Sequence, residues 1–147
     1  MSKTLPSYTS GTAEKPLLGM TIGEMLDRTA EKYPDNEALV CLHQDIRWTY
    51  KEFVEKVDEA ARAFMAIGVK RGDRVGIWSP NRYEWTVTQF ATAKVGAILV
   101  NINPAYGVHE LQYALNLAGI TTLVTADSFK ASNYREMIYE LAPELKR

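Results

Sequence analysis

"RVGIWSPNRYEWTVTQFATAKVGAILVNINPAYGVHELQYALNLAGITTLVTA" occupies residues 74–126, and the order of patterns within it decides the fold. Three short apolar runs, "RVGIWS" (74–79), "AILVNI" (97–102) and "TTLVTA" (121–126), alternate with two longer stretches of helical periodicity. The runs are continuously apolar, as in strands covered on both faces. The connections are too long for hairpins and suit right-handed βαβ crossovers. The first helical stretch spans 82–95, with Asn81 and Glu84 as a loose capping box and Gly96 at its end. The second, "VHELQYALNLA" (108–118), aligns Val108, Leu111, Leu115 and Ala118 and closes at Gly119. Residues 128–141 read as a further helix. The expected class is α/β, a parallel sheet flanked by helices.

Upstream the grammar differs. Residues 1–20 are rich in Ser, Thr, Gly and Pro without periodicity and read as an extended or mobile lead-in. Residues 21–147 are the folded part. "TIGE" places Thr21 at an N-cap with Glu24 three residues on, and Met25, Leu26, Thr29, Ala30 and Tyr33 follow at helical spacing up to Pro34. "ALVCL" (38–42) and "IRWTY" (46–50) form an N-terminal hairpin around His43, Gln44 and Asp45. "TYKE" is a second capping box, Thr49 with Glu52. Its helix carries Phe53, Val57, Ala60, Ala61 and Phe64 on one face and stops at Gly68.

The helix over 82–95 lacks a polar face, because its only charges are Arg82, Glu84 and Lys94. Such a helix is buried on more than one side. The expectation is that its outer face, with Trp85 and Phe90, packs on a part of a larger domain outside this chain. The isolated chain would then expose an apolar patch and self-associate.

A chain of 147 residues fits one domain. Its 17 basic and 18 acidic residues leave a net charge of −1, which gives no general attraction to nucleic acid. No apolar run reaches the ~20 residues of a membrane span. The single cysteine, Cys41, cannot form an internal disulfide and suits a reducing compartment. The first residues hold neither an apolar signal core nor arginine, so a cytoplasmic location is expected.

Parallel sheets bind ligands at the carboxyl ends of their strands. Here those ends carry "SPNR" (79–82), "NPAYG" (103–107) and "ADS" (126–128). Asn103, Pro104 and Tyr106 are the candidate cofactor-binding residues. Turn chemistry explains the same residues equally well. Asn81 already has a use as an N-cap. His43 and His109 have no second ligand at a suggestive spacing, Cys41 sits in an apolar strand, and Lys70, Arg71 and Arg74 suit a solvated loop. No glycine-rich dinucleotide or Walker-type phosphate motif and no Cys/His metal constellation occurs. No catalytic or metal-ligating residue is assigned.

"WTYKEF", "IGVKRGDRVGIWSPNRYEW" and "KVGAILVNINPAYGVHELQYALN" occur in that order and resemble the N-terminal region of the AMP-forming acyl-CoA synthetases, of the adenylate-forming superfamily. The wording "NPAY" and "ELQYALN" is most similar to the medium-chain fatty-acyl-CoA ligase branch. The resemblance implies a parent enzyme that converts a carboxylate and ATP to an acyl-adenylate, then to acyl-CoA and AMP. It implies ATP, Mg²⁺ and coenzyme A as cofactors, fatty acid and CoA as substrates, and a C-terminal lid domain. The family's phosphate loop reads YTSGTTG-x-PK, and "SYTSGTAEKP" (7–16) is similar in spelling. Here Ala13 and Glu14 stand where that loop has Thr and Gly, and no strand precedes them. Glu14 would repel phosphate, so the match is read as coincidence. The resemblance therefore describes a piece lacking the phosphate loop, the adenine site and the lid. The piece alone is expected to be inactive, to hold none of these cofactors tightly and to partner the missing C-terminal part of the same enzyme. A stand-alone α/β nucleotide- or CoA-binding module, or an interaction partner of a separately encoded remainder, are the alternatives.

Overall fold

Arg74–Trp78 forms the central strand of the sheet, and four of its five residues are buried. The computed structural model describes residues 14, 15 and 17–146, so most of the 7–16 stretch and of the 1–20 lead-in lies outside the described residues. The elements run α1 (Ile22–Lys32), β1 (Glu37–Cys41), β2 (Ile46–Thr49), α2 (Tyr50–Ala66), β3 (Arg74–Trp78), α3 (Tyr83–Val95), β4 (Ile98–Ile102), α4 (Val108–Ala118), β5 (Thr122–Thr125), β6 (Ser128–Phe129), β7 (Ser132–Asn133) and α5 (Tyr134–Leu141). The sheet order is β4-β3-β5, all parallel, with Val75 opposite Leu99 on one side and Thr122 on the other. β1 and β2 pair as the expected antiparallel hairpin, closed by Asp45 in the left-handed region (φ 53°).

Alternation along β3 assigns the two faces. Val75 packs with Leu26, Phe53, Val57, Phe64, Val87 and Ala91 from α1, α2 and α3. Trp78 packs with Ile102, Leu111 and Tyr134, and with Met137 and Ile138 of α5. Gly76 points the same way as Trp78, where a Cβ would come within 3.1 Å of Ile120 and Leu123. Ile120 and Leu123 therefore pack closely on the strand at Gly76, and a side chain there would push them back. The helices α3 and α4 thus cover opposite faces of a doubly wound sheet. Fully burying a side chain such as Ile77 or Leu111, both at 0% exposure, contributes ~1.5–3 kcal/mol.

Both early capping boxes form. The Thr21 and Thr49 hydroxyls accept from the Glu24 and Glu52 N–H groups, and each carboxylate accepts from its threonine's N–H in return. On α1, however, Gly23 and Leu26 are the buried residues, while Met25 and Tyr33 stay exposed. Gly68, at φ 96°, ends α2: its N–H donates to the Met65 carbonyl and the Val69 N–H to the Phe64 carbonyl.

One expectation needs correction. Residues 128–141 are not one helix. Ser128–Asn133 makes a tight hairpin with Lys130 at φ 52°, and α5 starts only at Tyr134. The Asn133 side chain accepts from the Glu136 N–H, a cap that sets the helix start six residues late. The apolar outer side of α3 is covered only in part by the chain's own residues, which leaves Phe90 half-buried. α1 and α2 pack on it, with Phe53 edge-on to Phe90 at 5.5 Å. Trp85 stays half-buried at a groove of about 400 Å³ that also takes in Ile22, Gln89 and Leu99.

Candidate functional site

The carboxyl ends of β3 and β5 bring the "SPNR" and "ADS" loops together around a cavity of about 190 Å³. Ser79, Arg82, Glu84, Thr125 and Asp127 line it, over the apolar floor of Ile77 and Val124. Its rim is set by the start of α3, and that start differs from the sequence expectation. The N-cap is Arg82, not Asn81, and no side chain of its own caps it. Gln44 of the β1–β2 hairpin does this work instead. Its Oε1 accepts from the Tyr83 N–H at 2.9 Å, and its Nε2 donates to Glu84 at 2.9 Å. The Cys41 thiol donates to the same Gln44 oxygen at 3.0 Å.

Glu84 faces Arg82 as well as Gln44. The Arg82 Nε and Nη2 each donate to its carboxylate at 3.2 Å. Burial pushes the Glu84 carboxyl up, but the hydrogen bonds from Arg82 and Gln44 outweigh it and hold the group below the usual carboxylate range. The hydrogen bond to Glu84 raises Arg82 above its ordinary value. The rim is therefore a fixed ion pair at neutral pH. The two hydroxyls are engaged locally, Ser79 donating to the Pro80 carbonyl and Thr125 to the carbonyls of Trp78 and Ala126. Such an arrangement orients a small polar group and is smaller than most ligand clefts, roughly 300–1,000 Å³. Asp127 points out and pairs with Arg135 at 3.2 Å.

The "NPAYG" loop lies apart from this rim, on the α4–α5 side. Asn103 Oδ1 accepts from the Ala105 N–H at 2.9 Å, and the Asn103 carbonyl accepts from the Tyr106 N–H. That carbonyl also accepts from Trp78 Nε1 at 3.1 Å, and the Pro104 carbonyl accepts from the Tyr134 hydroxyl. Tyr106 packs beside the cluster of Trp78 and Tyr134, whose rings stack at 3.6 Å. The polar groups of Asn103 and Pro104 thus buttress the turn. His43 lies 3.4 Å from Cys41 Sγ on the exposed side of the hairpin, and His109 is exposed on α4. The loop at Lys70–Asp73 is a turn capped by Asp73 Oδ2 on the Lys70 N–H.

Gln44 and Tyr134 escaped sequence reasoning. Gln44 read as an ordinary turn residue, and its partner is 39 residues away. Tyr134 had a local signal, since Asn133 followed by Glu136 spells a helix start just before it. Among the described residues no group of three His, Cys, Asp or Glu side chains is placed to hold a metal ion. No described helix is long and apolar enough to cross a membrane.

Against known proteins, the chain is 43% identical over 141 residues to medium-chain acyl-CoA ligase ACSF2, mitochondrial, of Mus musculus, covering 96% of this chain and 23% of the relative. The Danio rerio protein of that name is 44% identical over 140 residues, again with 23% of its length covered. The chain therefore spans about a quarter of these relatives. The inhibitor-bound N-terminal domain of FACL13 from Mycobacterium tuberculosis superposes with a TM-score of 0.75 at 27% identity, over 82% of this chain and 29% of that one. The family described as AMP-binding enzyme matches residues 26–147, and with that match over most of its length the chain belongs to the AMP-binding enzyme family.

Proposed function

We propose that this chain is the N-terminal part of an ATP-dependent fatty-acid–CoA ligase of medium-chain type. In the whole enzyme a carboxylate oxygen attacks the α-phosphorus of ATP, releasing pyrophosphate and leaving an acyl-adenylate. The CoA thiol then attacks the acyl carbon and AMP leaves. The observation that carries this reading is the 43% identity over 96% of the chain to a medium-chain acyl-CoA ligase. ATP and CoA are substrates here, and Mg²⁺ would balance the phosphate charge. The described residues offer no donor set that fits a metal, so no step through it is assigned to them.

On this reading the chain's own residues supply a scaffold. Gln44, Arg82 and Glu84 fix the carboxyl edge of the sheet, while the groups that touch ATP and CoA come from the rest of the enzyme. The chain alone then catalyses neither step. The same proposal divides the chain into a lead-in at 1–20 and the AMP-binding part at 21–147. It also places the protein in the cytoplasm, supported by the single free thiol of Cys41.

A chimera tests the reading: this chain replaces the matching segment of the Mus musculus relative. Pyrophosphate exchange is then followed with ATP, Mg²⁺ and octanoate. The chimera is expected to exchange well above background and the 147-residue chain alone to stay at background. Exchange by the chain alone, abolished by Ser10→Ala, would make residues 7–16 a working phosphate loop. A folded but inactive chimera would favour a stand-alone binding module.

A further inference from the structure

Val40 and Leu42 hold large apolar side chains at 42% and 78% exposure on the β1–β2 hairpin. Both line a groove of about 480 Å³ between the hairpin and the start of α3. Leu39 and Tyr83 continue its apolar wall. That wall is fixed before any ligand arrives. The Tyr83 ring meets Trp48 edge-on at 5.0 Å, and the Tyr83 N–H is tied to Gln44. The volume is that of a ligand cleft, roughly 300–1,000 Å³, and exposed apolar side chains gathered in a concavity are a mark of one.

The charge pattern says what fits. No carboxylate lines the groove, and Arg82 is its one permanent charge among the described residues. Arg82 also lines the smaller cavity at the carboxyl edge, where its Nε and Nη2 hold Glu84. Its Nη1 has no partner among the described residues, so two N–H groups remain for a second acceptor. Asn81 stands next to it in the groove. It does not cap α3, and its amide makes no hydrogen bond among the described residues. Glu84 offsets part of the guanidinium charge, so the head of a ligand is held by directed hydrogen bonds and the apolar wall supplies the rest.

We propose that this groove is a binding site for a single-tailed alkyl carboxylate, its tail along Val40 and Leu42 and its head on Arg82 Nη1 and Asn81. The site goes beyond the ligase reading and does not rest on it, since the groove and its charge pattern lie wholly within this chain. Arg82 walls both cavities, so an occupant also ties the hairpin to the carboxyl edge of the sheet.

The test is methyl-detected NMR of the 147-residue chain, titrated with sodium octanoate, with acetate as a head without a tail and octanol as a tail without the charge. Octanoate is expected to shift the Leu39, Val40 and Leu42 methyl groups saturably, and acetate to shift none. Octanol should bind about ten-fold more weakly, as loss of a charged hydrogen bond implies. Leu42→Glu changes an exposed side chain and should weaken octanoate about ten-fold or more. Arg82→Gln should bring octanoate down to the level of octanol. No saturable shift, an equal response in Leu42→Glu, or octanol binding as tightly as octanoate overturns the proposal. So do shifts that vanish in the chimera, where the rest of the ligase then fills the groove. Binding to phosphatidylcholine vesicles without a response to octanoate overturns it too, and makes the hairpin a membrane contact. Pyrophosphate exchange by the chimera should be unchanged by Leu42→Glu, so the groove and the ligase reading fail separately.

Discussion

The starts of α1 and α2 and the start of α3 look alike in the sequence and are built in opposite ways. At α1 and α2 the device is local. Thr21 with Glu24, and Thr49 with Glu52, exchange hydrogen bonds within one turn. At α3 the side chain of Gln44 reaches over from the hairpin. The far end of α3 is held in the same long-range manner. Lys94 Nζ binds Asp27 of α1 at 2.5 Å and Asp58 of α2 at 2.6 Å. A helix that lies between a sheet and two other helices is thus tied at both ends by its neighbours. α1 and α2, with one side toward water, carry their own caps. The difference locates the cooperative centre of the molecule in α3 and predicts which substitutions spread.

The largest effect is expected at Lys94. Lys94→Met keeps the stem that passes over Gly23 but leaves Asp27 and Asp58 facing each other without a cation. Urea unfolding should show a loss of about 2 kcal/mol, below that of a fully buried pair because both aspartates are partly exposed. A loss no larger than a single cap would mean that α3 is not held in this way.

Gln44→Ala comes next. It removes the acceptor of the Tyr83 N–H and a donor to Glu84, and should cost about 1–2 kcal/mol. The signature is spatial: amide exchange should speed up in both the hairpin and the first turn of α3. Faster exchange in the hairpin alone would break the contrast with α1.

Thr21→Ala and Thr49→Ala should each cost about 1 kcal/mol, with faster exchange confined to the first turn of the helix concerned.

The smallest effect is in acid. The backbone N–H of Thr21, then its hydroxyl, hold Glu24 below the usual carboxylate range, and Thr49 does the same for Glu52. A carboxyl depressed in the folded state contributes stability above its unfolded pKa, and that contribution is lost as pH falls through the folded value. Glu24→Gln and Glu52→Gln should therefore lower stability at neutral and alkaline pH, flatten the acid limb of the stability profile and converge on the parent where the carboxyls are protonated. An unchanged acid limb would show that the boxes carry no net linkage.

Much of the fold was legible. Thr21, Thr49, Gly68, Gly96 and Gly119 mark helix ends where the structure has them, and α4 runs over the expected 108–118. The site was less so. "SPNR" and "ADS" were placed at the correct edge of the sheet, yet Gln44, which fixes that edge, was missed. The wrong expectation at Asn81 has a plain cause: the Asn81-to-Glu84 spacing satisfies the local rule, but Gln44 and Arg82 compete for the same N–H and carboxylate and win.

The sequence by itself determined the features that close within one turn of chain. Those are the two capping boxes, the glycine stops, and the alternation of apolar runs and amphipathic stretches that makes an α/β protein. Only the tertiary structure decided the order β4-β3-β5, the covering of α3 by α1 and α2, the stacking of Trp78 on Tyr134 and the cap from Gln44. Hydrogen bonds and packing between residues far apart in the chain depend on which faces meet, and local spacing carries no record of that.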